Sequence, residues 1–246
     1  MRLKSVIKYN ISETKYRVLI FYGILAAIMA LIGCSQIFLT KEDIISQSSG
    51  FELPTIIFLF VLGLNSFKQN YLFLSTNGIT RKEQFYGFLI SSIPIVAVMG
   101  AIDIAFGNIL MQLSNYNSLF NMIYEGWVID TAKPIIILVA FIWSTVLCLF
   151  AIVLGYFITT SYYRMSKMMK VIVSIGVPAL FFNILPLIDS VFTNGKVLGW
   201  FEMLFISLAG LKNGYNPLTG IVSLLIGASV LAGLAFLLVR RAPVKE

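Results

Sequence analysis

The chain has 246 residues, of which 59% are hydrophobic and only 12% are charged. Soluble domains are about 45–50% apolar and about 25% charged, so this composition excludes an ordinary soluble domain and requires lipid to cover much of the apolar surface. The net charge of +7 does not indicate nucleic acid, because the basic residues lie in short loops between apolar runs. We expect a single transmembrane domain over 1–246, in contact with a lipid bilayer and without a nucleic-acid partner.

Residue types that many catalytic sites need are missing from the sequence. The chain has no histidine, which removes the commonest general base and the commonest zinc ligand. Its two cysteines, Cys34 and Cys148, both lie in apolar runs and lack metal-ligand spacing. No Gly-x-x-x-x-Gly-Lys-Ser/Thr sequence occurs, so the chain has no P-loop for ATP hydrolysis. We therefore expect no enzyme activity, no metal site and no cofactor bound by this chain.

The first 17 residues are basic and amphipathic. Leu3, Val6, Ile7 and Ile11 recur at helical spacing, and five basic residues lie among them. This pattern predicts an N-terminal interfacial helix that lies on the membrane surface and precedes the first span.

Six apolar runs predict six transmembrane helices, and the fold class is therefore all-α, a polytopic membrane helix bundle. The runs cover about 18–39, 54–67, 85–113, 134–160, 171–192 and 217–239. We expect the fifth run to be interrupted at Gly176, Pro178 and Pro186. The apolar segment 197–210 has only 14 residues, whereas a straight helix needs about 20 to cross about 30 Å of hydrocarbon. It is predicted to be a short re-entrant or interfacial helix before the sixth span.

The basic residues are distributed unevenly between the two sides of the predicted bundle. Of the 18 lysines and arginines, 14 lie in the N-terminal segment, the loops after spans two and four, and the C-terminal segment. The opposite loops hold the remaining four, which are Lys41, Lys133, Lys196 and Lys212. Because basic loops stay in the cytoplasm, we expect both termini to be cytoplasmic. The loops 41–53, 114–133 and 193–216 are expected outside.

The segment between spans two and three is too polar for the bilayer centre and too apolar for a free loop. Tyr71 and Phe73 suit a short helix at the interface, and Asn77-Gly78 indicates a turn. Thr80 and Glu83 have the spacing of a capping box, which predicts the start of a new helix. A plain connector between two spans is the alternative interpretation.

This segment also carries a resemblance to a known family. It reads Asn77-Gly78-Ile79-Thr80-Arg81-Lys82-Glu83-Gln84-Phe85-Tyr86. The pattern resembles the Asn-Gly-x-Ser/Thr-Arg-Lys-x-x-Phe signature of small six-span permeases of type-2 ABC exporters from Gram-positive bacteria. In that family the segment contains the coupling helix, which docks into a groove of the ATPase. The basic N-terminus and the short helix before span six are similar to that family as well.

The resemblance implies a transport function that several chains share. This chain would be the permease subunit of an exporter for a hydrophobic or amphipathic substrate, possible examples being a peptide toxin or an antimicrobial peptide, or a self-immunity permease. Two copies of a separate ATPase subunit would carry ATP and Mg, and a second permease chain, identical or homologous, would complete the assembly in the bacterial cytoplasmic membrane. The residues that the resemblance assigns to ATPase coupling are Tyr71, Phe73, Asn77, Gly78, Thr80, Arg81, Lys82 and Glu83.

Two acids lie within predicted spans, where a carboxylate is a functional candidate unless it reaches water. They are Asp103 in the third span and Asp189 near the outer end of the fifth. We take Asp103, Asn65 and Phe181 as candidates for a substrate path, with water contact or helix packing as the alternative for the polar side chains. Two other functions stay open: an ion-coupled secondary transporter or channel-like protein that uses Asp103, and a membrane anchor or immunity protein without transport.

Overall fold

The computed structural model of the chain describes residues 2–39, 48–113, 116–193, 195–212 and 215–240. Lys41, Arg241 and Lys245, which enter the charge argument, lie outside these ranges. In chain order, the described elements are α1 (Arg2–Leu39), β1 (Ser48–Ser49), α2 (Glu52–Asn65), α3 (Lys68–Thr76), α4 (Arg81–Leu113), β2 (Tyr116–Asn117), α5 (Leu119–Ile123), α6 (Glu125–Ile129), α7 (Lys133–Arg164), α8 (Lys167–Ala179), a π-helical turn (Leu180–Ile184), α9 (Leu185–Ile188), a second π-helical turn (Asp189–Thr193), α10 (Lys196–Leu208) and α11 (Pro217–Arg240).

Six helical stretches of the described residues are long and apolar enough to cross a membrane, as the sequence predicted. They run over Leu3–Leu31, Glu52–Thr76, Arg81–Met111, Lys133–Arg164, Lys167–Phe192 and Pro217–Arg240. The described chain is almost entirely helical, which agrees with an all-α membrane bundle. The predicted short helix before the sixth span is also present, as α10.

The prediction of a separate interfacial helix at the N-terminus is wrong. The basic segment and the first span form one unbroken helix, α1. No glycine or proline occurs before Gly23, so nothing stops the backbone hydrogen bonding where the two segments meet. The N-terminal half of α1 packs through Val6 against Gly87 of α4, and Tyr9 stacks on Phe73 of α3. Its basic half therefore continues the first span and supports the helices after it.

The contact between α2 and α7 lies at the centre of the bundle. Gly63 and Gly155 face each other there, and a Cβ on either one would meet the backbone of the other helix. Next to them, the Thr159 hydroxyl donates a hydrogen bond of 2.6 Å to the Leu64 carbonyl oxygen. Small residues permit this close approach between membrane helices. Around this contact α11 also packs against α7, and α1 packs against α4.

The fifth span stands largely outside this bundle. Among its described residues, Lys167–Phe192, Asp189 alone is buried. The helix does not break at its prolines, as the sequence analysis expected; each proline is instead followed by a π-helical turn. Proline removes one i→i−4 hydrogen bond and crowds the preceding turn, and a local π widening accommodates both changes within a membrane helix.

The segment between α4 and α7 is more ordered than the polar loop that the sequence suggested. β1 and β2 form a two-residue parallel pair, with Ser48 opposite Tyr116, which is the one departure from an all-α fold in the described residues. The Ser118 hydroxyl caps α5 by accepting a hydrogen bond from the Asn121 amide at 3.2 Å. Phe120 of α5 packs against Trp143 of α7, which fixes this segment on the bundle.

Candidate functional site

The turn after α3 has the geometry that its sequence predicted. The Gly78 amide donates to the Ser75 carbonyl oxygen at 3.1 Å, and the Ile79 amide donates to the Leu74 carbonyl oxygen at 3.0 Å. This pair of hydrogen bonds is a Schellman motif, which requires a left-handed residue directly after the helix. Gly78 fills that position with φ of +70°, a conformation that costs glycine little.

The helix after the turn begins with the predicted capping box. The Thr80 amide donates to Glu83 Oε2 at 3.0 Å, and the Glu83 amide donates to the Thr80 hydroxyl at 3.4 Å. The two side chains thus satisfy amides that the first turn of a helix leaves without a backbone partner. The helix–turn–helix conformation predicted for this segment is confirmed.

Buried side chains hold the segment on the bundle. Tyr71 is 2% exposed, and its ring stacks on Phe67 and meets Tyr163 edge-on, with ring centroids 5.0 and 5.7 Å away. The Gln84 side-chain amide donates to the Ile79 carbonyl oxygen at 3.0 Å and to the Ser75 hydroxyl at 3.2 Å. These contacts fix the backbone of the turn from beneath.

The opposite side of the segment faces away from the bundle. Phe73 is 51% exposed although one face of its ring lies on Tyr9, at a centroid distance of 5.2 Å. Asn77, Thr80 and Lys82 are also exposed. We call these four side chains, Phe73, Asn77, Thr80 and Lys82, the outer face of the segment. It presents one aromatic ring, two neutral polar groups and one positive charge on a fixed backbone.

Arg81 does not belong to this outer face, although the sequence grouped it with Lys82. Its guanidinium donates a hydrogen bond of 3.0 Å to the carbonyl oxygen of Arg240, at the end of α11. The last carbonyl groups of a helix have no partner within the helix and attract cations. Arg81 therefore joins the turn to the last span, and this contact was not foreseen because 159 positions separate the two residues.

Asp103 lies in the core of the bundle rather than at the water boundary. It is 1% exposed. Its Oδ1 atom accepts hydrogen bonds from the Tyr22 hydroxyl at 2.8 Å and from the Thr55 hydroxyl at 3.0 Å. Its Oδ2 atom is buried and has no hydrogen-bond partner among the described residues. One acceptor of this carboxyl group is thus fixed by α1 and α2, and the other is open.

A cavity of about 450 Å³ lies beside Asp103. Its polar lining includes Glu52, Asn108 and Ser144, and Ile136 and Trp143 contribute apolar walls. Glu52 is held at the edge, because its Oε2 atom accepts hydrogen bonds from the Tyr116 hydroxyl at 2.9 Å and the Leu119 amide at 3.3 Å. Burial, followed by the charge of Glu52, raises the pKa of Tyr116, so that this hydroxyl remains a donor.

The three candidates for a substrate path do not come together. Asn65 is ten residues beyond Thr55 on α2, which is about 15 Å along the helix, and its side-chain amide donates to the Val61 carbonyl oxygen of its own helix. Phe181 is 56% exposed on the fifth span. Only Asp103 lines the cavity.

Asp189 has a structural role in the helix that follows it. Its two carboxylate oxygens accept hydrogen bonds from the Val197 and Leu198 amides at 2.9 and 3.0 Å. These amides belong to the first turn of α10, where a carboxylate is favoured by the helix dipole. The expectation that Asp189 lies close enough to the surface to reach water does not describe it, since it is 2% exposed.

No protein-family model, curated protein or solved structure with which the chain was compared matches it. Among the described residues, no group of three or more acidic, cysteine or histidine side chains is placed to hold a metal ion. The function has to be inferred from the outer face of the coupling segment and from the Asp103 cavity.

Proposed function

We propose that the chain is the membrane-spanning permease subunit of an ATP-binding cassette exporter in a bacterial cytoplasmic membrane. It moves a hydrophobic or amphipathic substrate outward, while ATP and Mg are bound by two copies of a separate ATPase subunit. A second permease chain, identical or homologous, completes the exporter. The observation that carries this proposal is the outer face of the segment after α3, which lies on a rigid turn within a motif that resembles the coupling segment of such permeases.

The conformation of the segment supports a docking role. A surface that is ordered before binding loses little conformational entropy on association. Here Tyr71 and Gln84 hold the backbone from the inner side, and the Gly78 turn and the Thr80 cap satisfy the amide groups around it. The exposed aromatic ring of Phe73 is the type of side chain that contributes most at protein interfaces.

The position of the segment supports coupling to the transmembrane helices. α3 follows α2 after only Ser66 and Phe67, and α4 begins three residues after Gly78. α2 in turn contacts α7 backbone to backbone through Gly63 and Gly155. A displacement of the segment by an ATPase is therefore passed to closely packed helices, and work is possible if the ATPase binds the two arrangements with different affinity.

Lys82 provides the sharpest test of the docking surface. Replacing Lys82 by Glu reverses an exposed charge without removing an intramolecular contact of the kind that Arg81 makes. We expect near-normal abundance in the membrane but weaker co-purification with a P-loop ATPase from native membranes, together with loss of permease-stimulated ATP hydrolysis. Losing a charge-assisted hydrogen bond at a contact lowers affinity by about 10- to 150-fold.

Two matched variants make the test decisive. Lys212→Glu makes the same charge reversal in a loop predicted to be external, and it should leave association unchanged. Lys167→Glu makes it in the other basic cytoplasmic loop. If Lys167→Glu abolishes association and Lys82→Glu does not, the ATPase docks at that loop and the proposed surface is incorrect.

The alternative of ion-coupled secondary transport is favoured by one observation, the open Oδ2 atom of Asp103 beside a cavity. Asp103→Asn separates the two functions in proteoliposomes. ATP-dependent export that continues at a normal rate removes the main support for ion coupling. Uptake or efflux that follows a proton gradient without ATP, and that is lost in Asp103→Asn, would replace the exporter proposal.

A further inference from the structure

We propose that the Asp103 cavity is a binding site for the primary ammonium group of a small amphipathic molecule. The site is independent of ATPase docking, because its residues lie on α2, α4, α7 and the outer segment between α4 and α7, away from the turn at Gly78. Three features carry the inference: an unsatisfied acceptor, a cavity of sufficient size, and a lining that joins one charged end to apolar walls.

The acceptor is Asp103 Oδ2. A buried polar atom without a partner is unfavourable, and a buried carboxyl group is costly unless donors satisfy both of its oxygens. Tyr22 and Thr55 hold Oδ1 from two different helices and so fix the orientation of the carboxyl group. Oδ2 has no partner among the described residues. A ligand that brings an N–H donor to this atom satisfies it without any rearrangement of the helices.

The charge of the lining favours a cation. Two acids, Asp103 and Glu52, line the cavity together with one lysine, Lys133. Lys133 is the first residue of α7 and is exposed, so that its ammonium group is solvated at the rim. Asp103 lies at the buried end, where charges are screened least. An anion would meet an unpaired acidic group there, which excludes an anionic head group from that end.

The walls favour an organic cation over a bare metal ion. Magnesium and calcium ions require about six or more oxygen ligands, and the described residues offer no acidic cluster of three. The walls instead include Ile104, Ile136 and Ala140, which suit an alkyl or aromatic body. The volume of about 450 Å³ lies within the range of small-molecule sites, about 300–1,000 Å³.

A primary ammonium group is preferred to a quaternary one because of the open hydrogen-bond acceptor. An R–NH3⁺ group has three N–H donors, whereas a tetraalkylammonium group has none and leaves Oδ2 unsatisfied. Ser118 and Asn121 of the outer segment also line the cavity. The site is therefore reached from the side of the protein that the charge distribution predicts to be external.

Trp143 provides a direct reporter, since it lines the cavity. The chain has three tryptophans, so the variant with Trp127→Phe and Trp200→Phe keeps one fluorophore at the site. The purified chain, without any ATPase, is placed in phosphatidylcholine nanodiscs and titrated with octylammonium, octyltrimethylammonium, octanol and octyl sulfate. We expect saturable quenching that is strongest with octylammonium.

Asp103→Asn is the central variant, because an amide oxygen still accepts from Tyr22 and Thr55 while the charge is removed. We expect octylammonium affinity to fall by about 10- to 150-fold and octanol affinity to stay the same. Glu202→Gln removes an exposed acid of α10, away from the cavity, and serves as the control for net charge. Its affinity should match that of the parent chain.

A second variant keeps the test valid if Asp103→Asn does not fold. Ala140→Leu retains Asp103 but fills part of the cavity, and it should abolish the saturable quenching. Unchanged octylammonium affinity in Asp103→Asn, or octyl sulfate binding as tight as octylammonium binding, would overturn the proposal. Because no ATPase is present, these outcomes leave the Lys82→Glu test of the exporter function unaffected.

Discussion

The contact between Gly63 and Gly155 predicts that adding a single methyl group there destabilises the whole bundle. A Cβ at Gly155 would lie 2.9 Å from the Leu64 nitrogen and closer still to the Phe60 carbonyl oxygen. A Cβ at Gly63 would lie 3.1 Å from the Tyr156 nitrogen and closer still to the Ile152 carbonyl oxygen. These are backbone atoms, which cannot rotate aside as a side chain can.

The magnitude follows from the displacement that is required. Ordinary carbon contacts are about 3.5–4.0 Å, so α2 and α7 must separate by roughly 1 Å to admit the methyl group. Overpacking of this kind costs about 1–3 kcal/mol. Alanine returns about 0.5–1 kcal/mol, because it is a better helix former than glycine. We expect Gly155→Ala to lower the free energy of unfolding by about 1–2 kcal/mol, which is a decrease in Tm of about 2–8 °C.

The assay is the thermal unfolding of detergent-solubilised protein, followed by intrinsic fluorescence. Gly23→Ala is the matched control: Gly23 lies within α1, and its Cβ would meet nothing within 4 Å. That variant should therefore keep or raise the Tm. In the double variant Gly63→Ala with Gly155→Ala, the second methyl group uses the space that the first has opened, so the two losses should not add.

An equal or higher Tm for Gly155→Ala than for Gly23→Ala would refute the close backbone contact. Strictly additive losses in the double variant would show that the two glycines act at separate places. Either result would also remove the packed connection through which the segment after α3 is proposed to act on α7.

Two further predictions concern the turn and the topology. Gly78→Val places a β-branched residue at φ of +70°, a strain of about 1–2 kcal/mol, and we expect it to abolish ATPase stimulation at near-normal abundance, whereas Gly78→Asn should retain stimulation because asparagine tolerates this conformation; equal behaviour of the two variants in the stimulation assay would show that the turn geometry is unimportant. In a cysteine-free background, single cysteines at Ser5 and Asn77 should resist a membrane-impermeant reagent and one at Glu125 should react, and strong external labelling at Asn77 would reverse the orientation.

Local features of the fold could be predicted from the sequence because their determinants are close together in the chain. The Asn77-Gly78 turn and the Thr80–Glu83 cap depend on residues within a few positions of one another, and both form as predicted. The six spans were equally accessible, since hydrophobicity over about 20 residues decides them. The continuity of α1 was missed because a change from basic to apolar composition marks a change of environment and not a helix end.

The surroundings of Asp103 could not be predicted, since they depend on distant parts of the chain. Tyr22 is 81 positions away and Thr55 is 48 positions away, and neither hydroxyl is unusual in a membrane helix. Glu52 likewise reaches the cavity only because α2 begins beside the outer segment. An isolated acid within an apolar run was a valid signal for Asp103, but the same signal selected Asp189, which caps a helix instead.

The three longest helices have a consequence for the thickness of membrane that the protein can occupy. α1, α4 and α7 contain 38, 33 and 32 residues, which correspond to about 57, 50 and 48 Å at 1.5 Å per residue. The hydrocarbon core is about 30 Å thick, so each helix has several turns to spare. A bilayer that is a few ångströms thicker or thinner can be matched by a small tilt or axial shift of these helices. The turn at Gly78 is then carried as a rigid extension beyond the lipid, at a height that the helices fix and the bilayer does not.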